Sequence, residues 1–396
     1  MSSIQQFRKP IFVFQTKIEK DKVLATISDS IDKGWIGLGK VTEAFEREFA
    51  EYVGAKYAVG LNSATAGLHL ALILAGVKKH QQVITTPMTF VSTNAAILYV
   101  DANPFFVDVG EYLHIKIDDI LNPEISPNSA KAIMLVHFGG IPIEKKKIIQ
   151  LQNNCPHTAI IQDCAHATGA KFEDGSMVGS FGDYNIFSFH AVKNLPSPDG
   201  GMLVTNDASI AAEAKKLRWM GIDKDTASRT HHLHNVGYSW YYNVGKLGYK
   251  YHMNDITAAF GLAGLDTINR DNDRRGEIRQ AYYDKIDKNY AKLVMADTNV
   301  KSANHMATLI LRQGIDRNTL IQRLKDNWNI HPGVHYTPNN YFEPFSNYPG
   351  GTIMAWNVYK QIVTLPCHLE MTDEDVARVI TAVNSEIDRI LEKSLQ

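Results

Sequence analysis

The stretch Tyr184–Thr205, YNIFSFHAVKNLPSPDGGMLVT, contains two short apolar runs joined by a loop that carries a single lysine, Lys193. Similar apolar runs, separated by helical patterns, recur through residues 1–260 and indicate a largely parallel sheet covered by helices on both faces. In such sheets, ligands bind beyond the carboxyl ends of the strands. Asp163, His166 and Lys193 all follow predicted strands, so we expect them to lie at one edge of the sheet.

The patterns predict two closely joined domains in an α/β chain. Residues 1–260 are predicted to form a three-layer unit, with a mostly parallel sheet flanked by helices, and residues 261–396 a smaller C-terminal α/β domain. Within the second region, Asp316 is expected to cap a helix. Thr372 and Asp375 are expected to form a capping pair at the start of the last helix, which carries an apolar stripe.

Charge and composition exclude several functional classes. The 396 residues include 41 basic and 42 acidic side chains, for a net charge of -1. This balance predicts neither a nucleic-acid partner nor a membrane-surface partner. The three cysteines are widely spaced and odd in number, which favours a reducing compartment. With no signal-peptide core and no membrane-spanning stretch, we expect a cytoplasmic protein.

Two strand ends are followed by residues suited to ligand binding. In VGLNSATAGLHLAL, the amides of Ala64 and Thr65 would begin a helix and could hold a phosphate, although an ordinary helix cap explains the same stretch. In AIIQDCAHATGA, the Asp163 carboxylate could hold a protonated ring nitrogen. Alternatively, Asp163 and His166 form a capping and packing pair. A metal site at Asp163 and His166 is less strongly indicated, because only these two ligands lie close together in the sequence.

Lys193 completes a set that a Schiff-base cofactor needs: an amine nucleophile, an acid facing a pyridine nitrogen and a seat for phosphate. With these motifs in this order, the sequence resembles the DegT/StrS family of pyridoxal-phosphate-dependent nucleotide-sugar aminotransferases. The resemblance extends from GWIGLGK to LPCHLEMTDEDVARVI, nearly the whole chain. It implies the aspartate-aminotransferase-like fold, known as fold type I, and pyridoxal 5'-phosphate (PLP) as the cofactor.

The resemblance also implies a role for each matching residue. Lys193 would bind the cofactor covalently and carry the proton during transfer. The other implied contacts are Asp163 with the pyridine nitrogen, His166 near the phenolic oxygen, Ala64, Thr65 and Ser188 with the phosphate, Phe90 stacked on the ring, Lys250 with the phosphate of the neighbouring subunit, and His335 and Tyr336 near the sugar. The contact by Lys250 implies a homodimer with shared active sites.

Some positions depart from the family pattern. SAT replaces the usual Ser-Gly-Thr, so Ala64 must adopt the backbone geometry that glycine normally supplies. PSPDGG replaces a threonine-rich stretch beside the substrate, and Lys250 and His252 replace Asn and Arg. The lysine at 193 is retained, which argues against the dehydratase variants of the family, in which it is a histidine.

The resulting hypothesis is an aminotransferase that moves an amino group from L-glutamate to a keto sugar on a nucleoside diphosphate, for amino-sugar and surface-polysaccharide biosynthesis. Alternatives are a small phosphorylated ketone as acceptor, a catalytically silent PLP-binding sensor or scaffold, and a metal-dependent hydrolase. The segment RTHHLHNVGYSWYYN allows three interpretations, namely a sugar-contacting loop, dimer packing or a metal site. Its aromatic and imidazole residues are His231, His232, His234, Tyr238, Trp240, Tyr241 and Tyr242.

Overall fold

A computed structural model describes residues 9–122, 129–223, 242–296 and 299–394. Its strands are β1 (Ile11–Phe12), β2 (Tyr57–Leu61), β3 (Gln82–Thr85), β4 (Asn103–Phe106), β5 (Ala132–Val136), β6 (Ala159–Asp163), β7 (Tyr184–Ser188), β8 (Gly201–Thr205), β9 (Ala291–Leu293), β10 (Ala307–Leu311), β11 (Ile330–His331) and β12 (Ile362–Leu365). Its helices are α1 (Lys20–Asp32), α2 (Lys40–Val53), α3 (Ala64–Leu74), α4 (Val91–Tyr99), α5 (Ile117–Ile120), α6 (Lys145–Asn154), α7 (Ala208–Leu217), α8 (Asp255–Leu265), α9 (Ile268–Lys285), α10 (Arg317–Trp328), α11 (Ile353–Gln361) and α12 (Asp373–Ser394).

The largest sheet has seven strands in the order β2-β8-β7-β6-β5-β3-β4. Neighbouring strands from β7 to β4 are parallel, and β8 runs antiparallel to both of its neighbours. Successive residues of β5 pack into different apolar clusters, with Ile133 and Leu135 in one and Ala132 and Met134 in the other. Because side chains alternate between the faces of a sheet, both faces are covered. The predicted three-layer, mostly parallel architecture is confirmed.

A second core forms around the antiparallel sheet β12-β10-β9. The short strand β1 pairs in parallel with β11, and Ile11 is buried in this second core. Helix α9 connects the two cores, because Ile268 packs in the first and Ile278 in the second. The division of the chain at residue 260 stays a prediction.

The caps expected from the sequence are present. Asp316 accepts a hydrogen bond from the backbone N–H of Thr319 at the start of α10. At α12, the Thr372 hydroxyl accepts from the N–H of Asp375, and the Asp375 carboxylate accepts from the N–H of Thr372, both at 3.2 Å. These reciprocal bonds satisfy backbone donors that have no partner within the helix.

A buried ion pair connects α2, β2 and the end of α7. The Glu46 carboxylate accepts a hydrogen bond from Arg218 and another, at 2.8 Å, from the N–H of Gly60. Arg218 also donates to the carbonyl oxygen of Gly60 at 2.8 Å. Both side chains are almost closed to solvent. Removing one partner therefore leaves the other charge buried and uncompensated.

We predict that Glu46→Ala lowers the free energy of unfolding of the apo protein by about 3 kcal/mol or more, because Arg218 then loses its counter-charge in the interior. Urea unfolding measures the change. The matched control is Asp29→Ala, which removes an exposed i,i+4 pair with Lys33. That control is expected to change the free energy of unfolding by less than about 0.5 kcal/mol. An equal, small effect of both substitutions would contradict a stabilising role for the buried pair.

Candidate active site

The carboxyl edge of the large sheet holds the residues expected there. Asp163 is the last residue of β6 and Ser188 the last of β7, and these two strands are parallel neighbours. Lys193 follows in the loop from β7 to β8. Burial lowers the pKa of the Lys193 ammonium, and the negative charge of the nearby Asp163 opposes that shift. The sheet topology therefore brings an acid and an amine to one place.

Asp163 is a buried carboxylate held by two donors. Its Oδ2 accepts from the Thr93 hydroxyl at 2.8 Å and its Oδ1 from the N–H of Ala165 at 3.1 Å. Thr93 in turn accepts from Thr89, 2.8 Å away. Burial raises the pKa of Asp163, and the two hydrogen bonds and the charge of Lys193 oppose that rise. A cation placed against Asp163 would stabilise its ionised form further.

Lys193 is half-buried, and burial lowers its pKa to about 8. An ordinary lysine has a pKa of about 10.4, so near neutral pH the amine of Lys193 is neutral far more often than that of a surface lysine. A neutral amine is the nucleophilic form that attacks an aldehyde. The environment of Lys193 therefore suits covalent attachment of a carbonyl cofactor.

The N-terminus of α3 lies beside the start of β8. Ser63 caps the helix by accepting from the N–H of Ala66 at 3.1 Å, and the N–H groups of Ala64 and Thr65 have no carbonyl partner within the helix. A Cβ on Gly201 would lie 2.5 Å from the nitrogen of Ala64. The strand β8 can therefore approach the start of α3 this closely only because residue 201 is a glycine. The helix cap and the phosphate seat predicted from the sequence are compatible here.

Asp163 and His166 do not pair with each other, because each uses its polar atoms on other residues. The Nδ1 of His166 accepts from the N–H of Gly139 at 3.3 Å, and its Nε2 lies 3.2 Å from the hydroxyl oxygen of Tyr336. Burial, with the charge of Lys193, lowers the pKa of His166 well below its usual range. His166 is therefore a neutral ring.

A column of nearly parallel rings runs through the site. The ring of His305 stacks on His166, with centroids 4.5 Å apart, and Phe14 stacks on His305 at 5.5 Å. Tyr336 lies nearly parallel to His166, with centroids 6.2 Å apart. Sequence reasoning missed Phe14 and His305, since neither occurs in a recognisable motif and both come from segments far from Lys193 in the chain.

A chain of amide hydrogen bonds determines the tautomer of His305. The amide nitrogen of Asn272 donates to the carbonyl of Thr168, so its oxygen accepts from the amide nitrogen of Asn194, at 2.6 Å. The Asn194 oxygen must then accept from Nδ1 of His305, 2.7 Å away. His305 accordingly carries its hydrogen on Nδ1 and leaves Nε2 as an acceptor. Asn194, next to Lys193, was also missed by sequence reasoning.

Three other residues predicted for the site differ from one another in burial and in contacts. Phe90 is 54 % exposed and its ring centroid lies 6.1 Å from that of Tyr336. His335 contacts the Thr364 hydroxyl through Nδ1 at 2.9 Å, and burial and the charge of Lys193 lower its pKa to about 4. Lys250 is exposed, and its ammonium lies over the Trp219 ring, 3.4 Å from the centroid. The contact of Lys250 with the cofactor phosphate of a neighbouring subunit stays a prediction.

Most of the histidine- and tyrosine-rich segment is not among the described residues. The residues of this segment that lie outside them are His231, His232, His234, Tyr238, Trp240 and Tyr241. Tyr242 is described and is 46 % exposed. Across residues 9–122, 129–223, 242–296 and 299–394, the structure contains no group of three or more histidine, cysteine, aspartate or glutamate side chains arranged to hold a metal ion. Within the same residues, no helix is both long enough and apolar enough to span a membrane.

The residues at this edge fit PLP. A buried carboxylate, Asp163, would face the pyridine nitrogen, and Lys193 would bind the aldehyde carbon. The amides at the start of α3 and the Ser188 hydroxyl could hold one phosphate together. They lie near each other because Ser188 pairs with Gly201, and Gly201 lies against Ala64. The exposed ring of Phe90 offers a stacking surface.

We predict that Gly201→Ala lowers the affinity of the apo protein for inorganic phosphate by about tenfold or more, because the added methyl group displaces the first turn of α3. Isothermal titration calorimetry measures the affinity. Gly245→Ala is the matched control, since a Cβ there meets nothing within 4 Å. Wild-type affinity in Gly201→Ala would show that phosphate does not bind at these amides.

We further predict that the rate at which PLP reacts with the apo protein rises about tenfold per pH unit up to about pH 8 and then levels off. Below its pKa, the Lys193 amine is protonated and cannot attack. Stopped-flow absorbance follows the reaction. Lys193→Arg should not react, whereas Lys33→Arg, at an exposed lysine, should react normally. A midpoint near the ordinary lysine value of about 10.4 would contradict a desolvated amine.

Comparisons with known proteins agree with this geometry. The family model of the DegT/DnrJ/EryC1/StrS aminotransferases matches residues 17–384. The spore coat polysaccharide biosynthesis protein SpsC of Bacillus subtilis is 35% identical over 368 residues, which cover 90% of this chain and 92% of SpsC.

Solved structures are similar over almost the full length. Spr1654 of Streptococcus pneumoniae is described as a sugar aminotransferase and was solved with pyridoxamine phosphate and with PLP. Its pyridoxamine-phosphate form aligns with a TM-score of 0.87 at 26% identity. The alignment covers 98% of this chain and 100% of Spr1654. The sugar aminotransferase CalS13 of Micromonospora echinospora aligns with a TM-score of 0.85 at 26% identity, over 95% of this chain and 99% of CalS13. These matches confirm the predicted fold type I and the PLP cofactor. The protein therefore belongs to the DegT/DnrJ/EryC1/StrS aminotransferase family and is a PLP-dependent transaminase that acts on sugars.

Proposed function

We propose that the protein transfers the amino group of L-glutamate to a keto sugar carried on a nucleoside diphosphate. The observation that carries the proposal is the desolvated amine of Lys193 beside the buried carboxylate of Asp163, at the edge where free helix amides can seat a phosphate. PLP, when bound, supplies an electron-accepting ring for the bonds at the donor's α-carbon. The side chains of this protein must supply everything else.

Lys193 is the group that moves the proton. Once a donor amine has replaced it, its nitrogen would be free to take the proton from the α-carbon of the donor and to deliver it to the C4′ carbon of the cofactor. A lysine whose pKa is about 8 changes protonation state near neutral pH at little cost in free energy. Asp163, held by Thr93 and Ala165, would keep a positive charge on the pyridine nitrogen of the cofactor.

A sugar acceptor for surface polysaccharide synthesis is supported by SpsC, whose name assigns it to polysaccharide biosynthesis. The nucleotide and the glutamate donor follow from the family resemblance. The proposal includes a homodimer, which follows from the family resemblance at Lys250; that lysine is exposed, and its ammonium lies over Trp219 of its own subunit. It also places the enzyme in the cytoplasm, in keeping with three buried free cysteines.

The test is the visible absorbance of the purified holoenzyme before and after addition of L-glutamate. We expect the yellow, PLP-bound form to convert to the pyridoxamine form, and addition of a nucleoside-diphosphate keto sugar to restore the colour. Lys193→Ala should lose at least about three orders of magnitude in the conversion rate, because no other amine replaces it as acid and base. Substantial turnover by this variant would overturn the assignment of Lys193.

The acceptor is identified in the second half of the same experiment. Colour restored by small phosphorylated ketones, and not by nucleotide sugars, would replace the proposed acceptor with that alternative class. A protein that binds PLP but remains yellow with every amino acid tested would favour the silent sensor or scaffold. Lys33→Ala, at an exposed lysine, is the matched control for general effects of substitution.

A further inference from the structure

A small cavity lies against the loop that carries Lys193. Its volume of about 10 Å³ gives room for one group of about the size of a water molecule. Its walls include the N-terminal segment 14–17, the loop of Lys193, helix α9 and the residues that follow β12. The Thr16 hydroxyl donates to the carbonyl oxygen of Ala191 at 2.6 Å, which joins the first two of these walls. The cavity therefore lies where distant parts of the chain meet.

The walls of this cavity are basic. Lys17, Lys193 and Arg275 line it, and none of the residues that line it is an aspartate or a glutamate. Lys17 is exposed to solvent, and the amine of Lys193 can lose its proton near neutral pH. The guanidinium of Arg275 cannot, because arginine stays charged in proteins. Arg275 is therefore the permanent positive charge of the cavity.

Arg275 is a buried cation without an ion pair. It is 6 % exposed, and among the residues that the structure describes no carboxylate lies within ion-pair distance of it. Its Nη1 donates to the carbonyl oxygen of Asp271 at 3.4 Å, a long bond, and a guanidinium has five N–H groups to satisfy. The Asp271 carboxylate is already used, since it accepts from Thr267 and Arg270. Arg275 thus retains donors for a further acceptor.

Arg279, one turn further along α9, shows how a buried arginine is otherwise satisfied in this protein. It is 1 % exposed. Its guanidinium donates to the Ser302 hydroxyl at 3.2 Å, the Asn304 amide oxygen at 2.8 Å and the Val294 carbonyl at 2.6 Å. These acceptors are neutral, so they satisfy its donors without adding negative charge. Two uncompensated positive charges therefore lie in the interior within one turn of α9, which is unfavourable without an anion.

The thiol of Cys367, which also lines the cavity, does not supply that negative charge. Its Sγ lies 3.6 Å from the carbonyl oxygen of Arg275, and a carbonyl only accepts, so the thiol donates and keeps its hydrogen. Burial raises the pKa of the Cys367 thiol to about 11, although the nearby arginines oppose the rise. The thiol is therefore neutral at neutral pH.

His368 brings a further unsatisfied group to the same cavity. Both of its ring nitrogens are buried, and within the described part of the chain neither makes a hydrogen bond of ordinary geometry. Burial lowers the pKa of His368, and the carbonyl of Phe12 opposes that shift. The neutral ring has one N–H, and a buried N–H without an acceptor destabilises the folded state. An acceptor in the cavity would satisfy both His368 and Arg275.

These features together indicate the chemistry of a ligand. It must fit a space the size of one water molecule, accept hydrogen bonds and carry negative charge. Water brings no charge, and a carboxylate or phosphate has too many atoms for the cavity. We propose that the cavity binds a single halide ion, chloride under ordinary conditions, which is held by Arg275 and joins the N-terminal segment, the loop of Lys193 and α9. This site does not depend on the proposed function.

The test is a chloride titration of the purified holoenzyme at constant ionic strength, with sodium chloride replacing sodium gluconate, whose anion is too large for the cavity. The line width of the chloride magnetic resonance signal measures binding, and we expect it to saturate. Arg275→Gln should weaken chloride binding by about tenfold or more, because glutamine keeps an N–H donor but removes the charge. Thermal unfolding shows whether the variant is folded.

Arg274→Gln is the matched control. Arg274 is the neighbouring residue on α9, but its guanidinium pairs with Glu277 and Asp373 and does not line the cavity. Its removal should leave the chloride affinity unchanged, since its charge is already compensated. Equal weakening in both variants would show a general effect of positive charge and would overturn a specific site at Arg275.

Anomalous diffraction locates the ion without any variant, and decides the question if Arg275→Gln does not fold. In crystals of the wild-type holoenzyme with bromide in place of chloride, we expect an anomalous peak beside the guanidinium of Arg275. Density for a water without anomalous signal would overturn the proposal, as would wild-type chloride affinity in Arg275→Gln. A bromide peak without saturable chloride binding in solution would mean binding at crystal concentration only, and would also overturn it.

Failure of this proposal is distinguishable from failure of the proposed function, because none of these measurements follows amino transfer. A protein that binds chloride at Arg275 but does not respond to L-glutamate would contradict the proposed function alone.

Discussion

A buried carboxylate and a desolvated amine at one sheet edge form the constraint around which the active site is organised. Each would be destabilised alone, because burial disfavours the charged form of both. Thr93 and the backbone of Ala165 hold Asp163, and the charge of Asp163 partly offsets the effect of burial on Lys193. The pair therefore leaves one group ready to hold a positive ring nitrogen and the other ready to lose its proton near neutral pH.

The direction of individual hydrogen bonds carries as much of the chemistry as the identity of the side chains. Backbone N–H groups can only donate, and the Asn194 amide already donates twice, to Asn272 and to the carbonyl of Ala303. These fixed donors determine the tautomers of His166 and His305. As a result, two neutral imidazole rings have distinct roles, since one donates toward Tyr336 and the other retains a free acceptor.

The site draws on parts of the chain that are distant in sequence. The large sheet supplies the acid, the amine and the predicted phosphate seat, whereas Phe14 follows β1, His305 precedes β10 and Tyr336 follows β11. Helix α9 connects the two cores, and Asn272 on this helix takes part in the amide chain that anchors His305. The rigidity of the site thus depends on how the two cores are joined.

The sequence by itself determined the sheet architecture, the caps and most candidate residues around Lys193, because apolar periodicity and strand-end polar residues are local signals. It also marked Gly201 as part of a constrained loop, without showing that α3 lies against it. Only the tertiary structure decided that Asp163 and His166 act separately and that Phe14 and His305 stack beside them. Those contacts join residues more than a hundred positions apart, so no local pattern encodes them, and the orientation of a hydrogen bond depends on every partner in space.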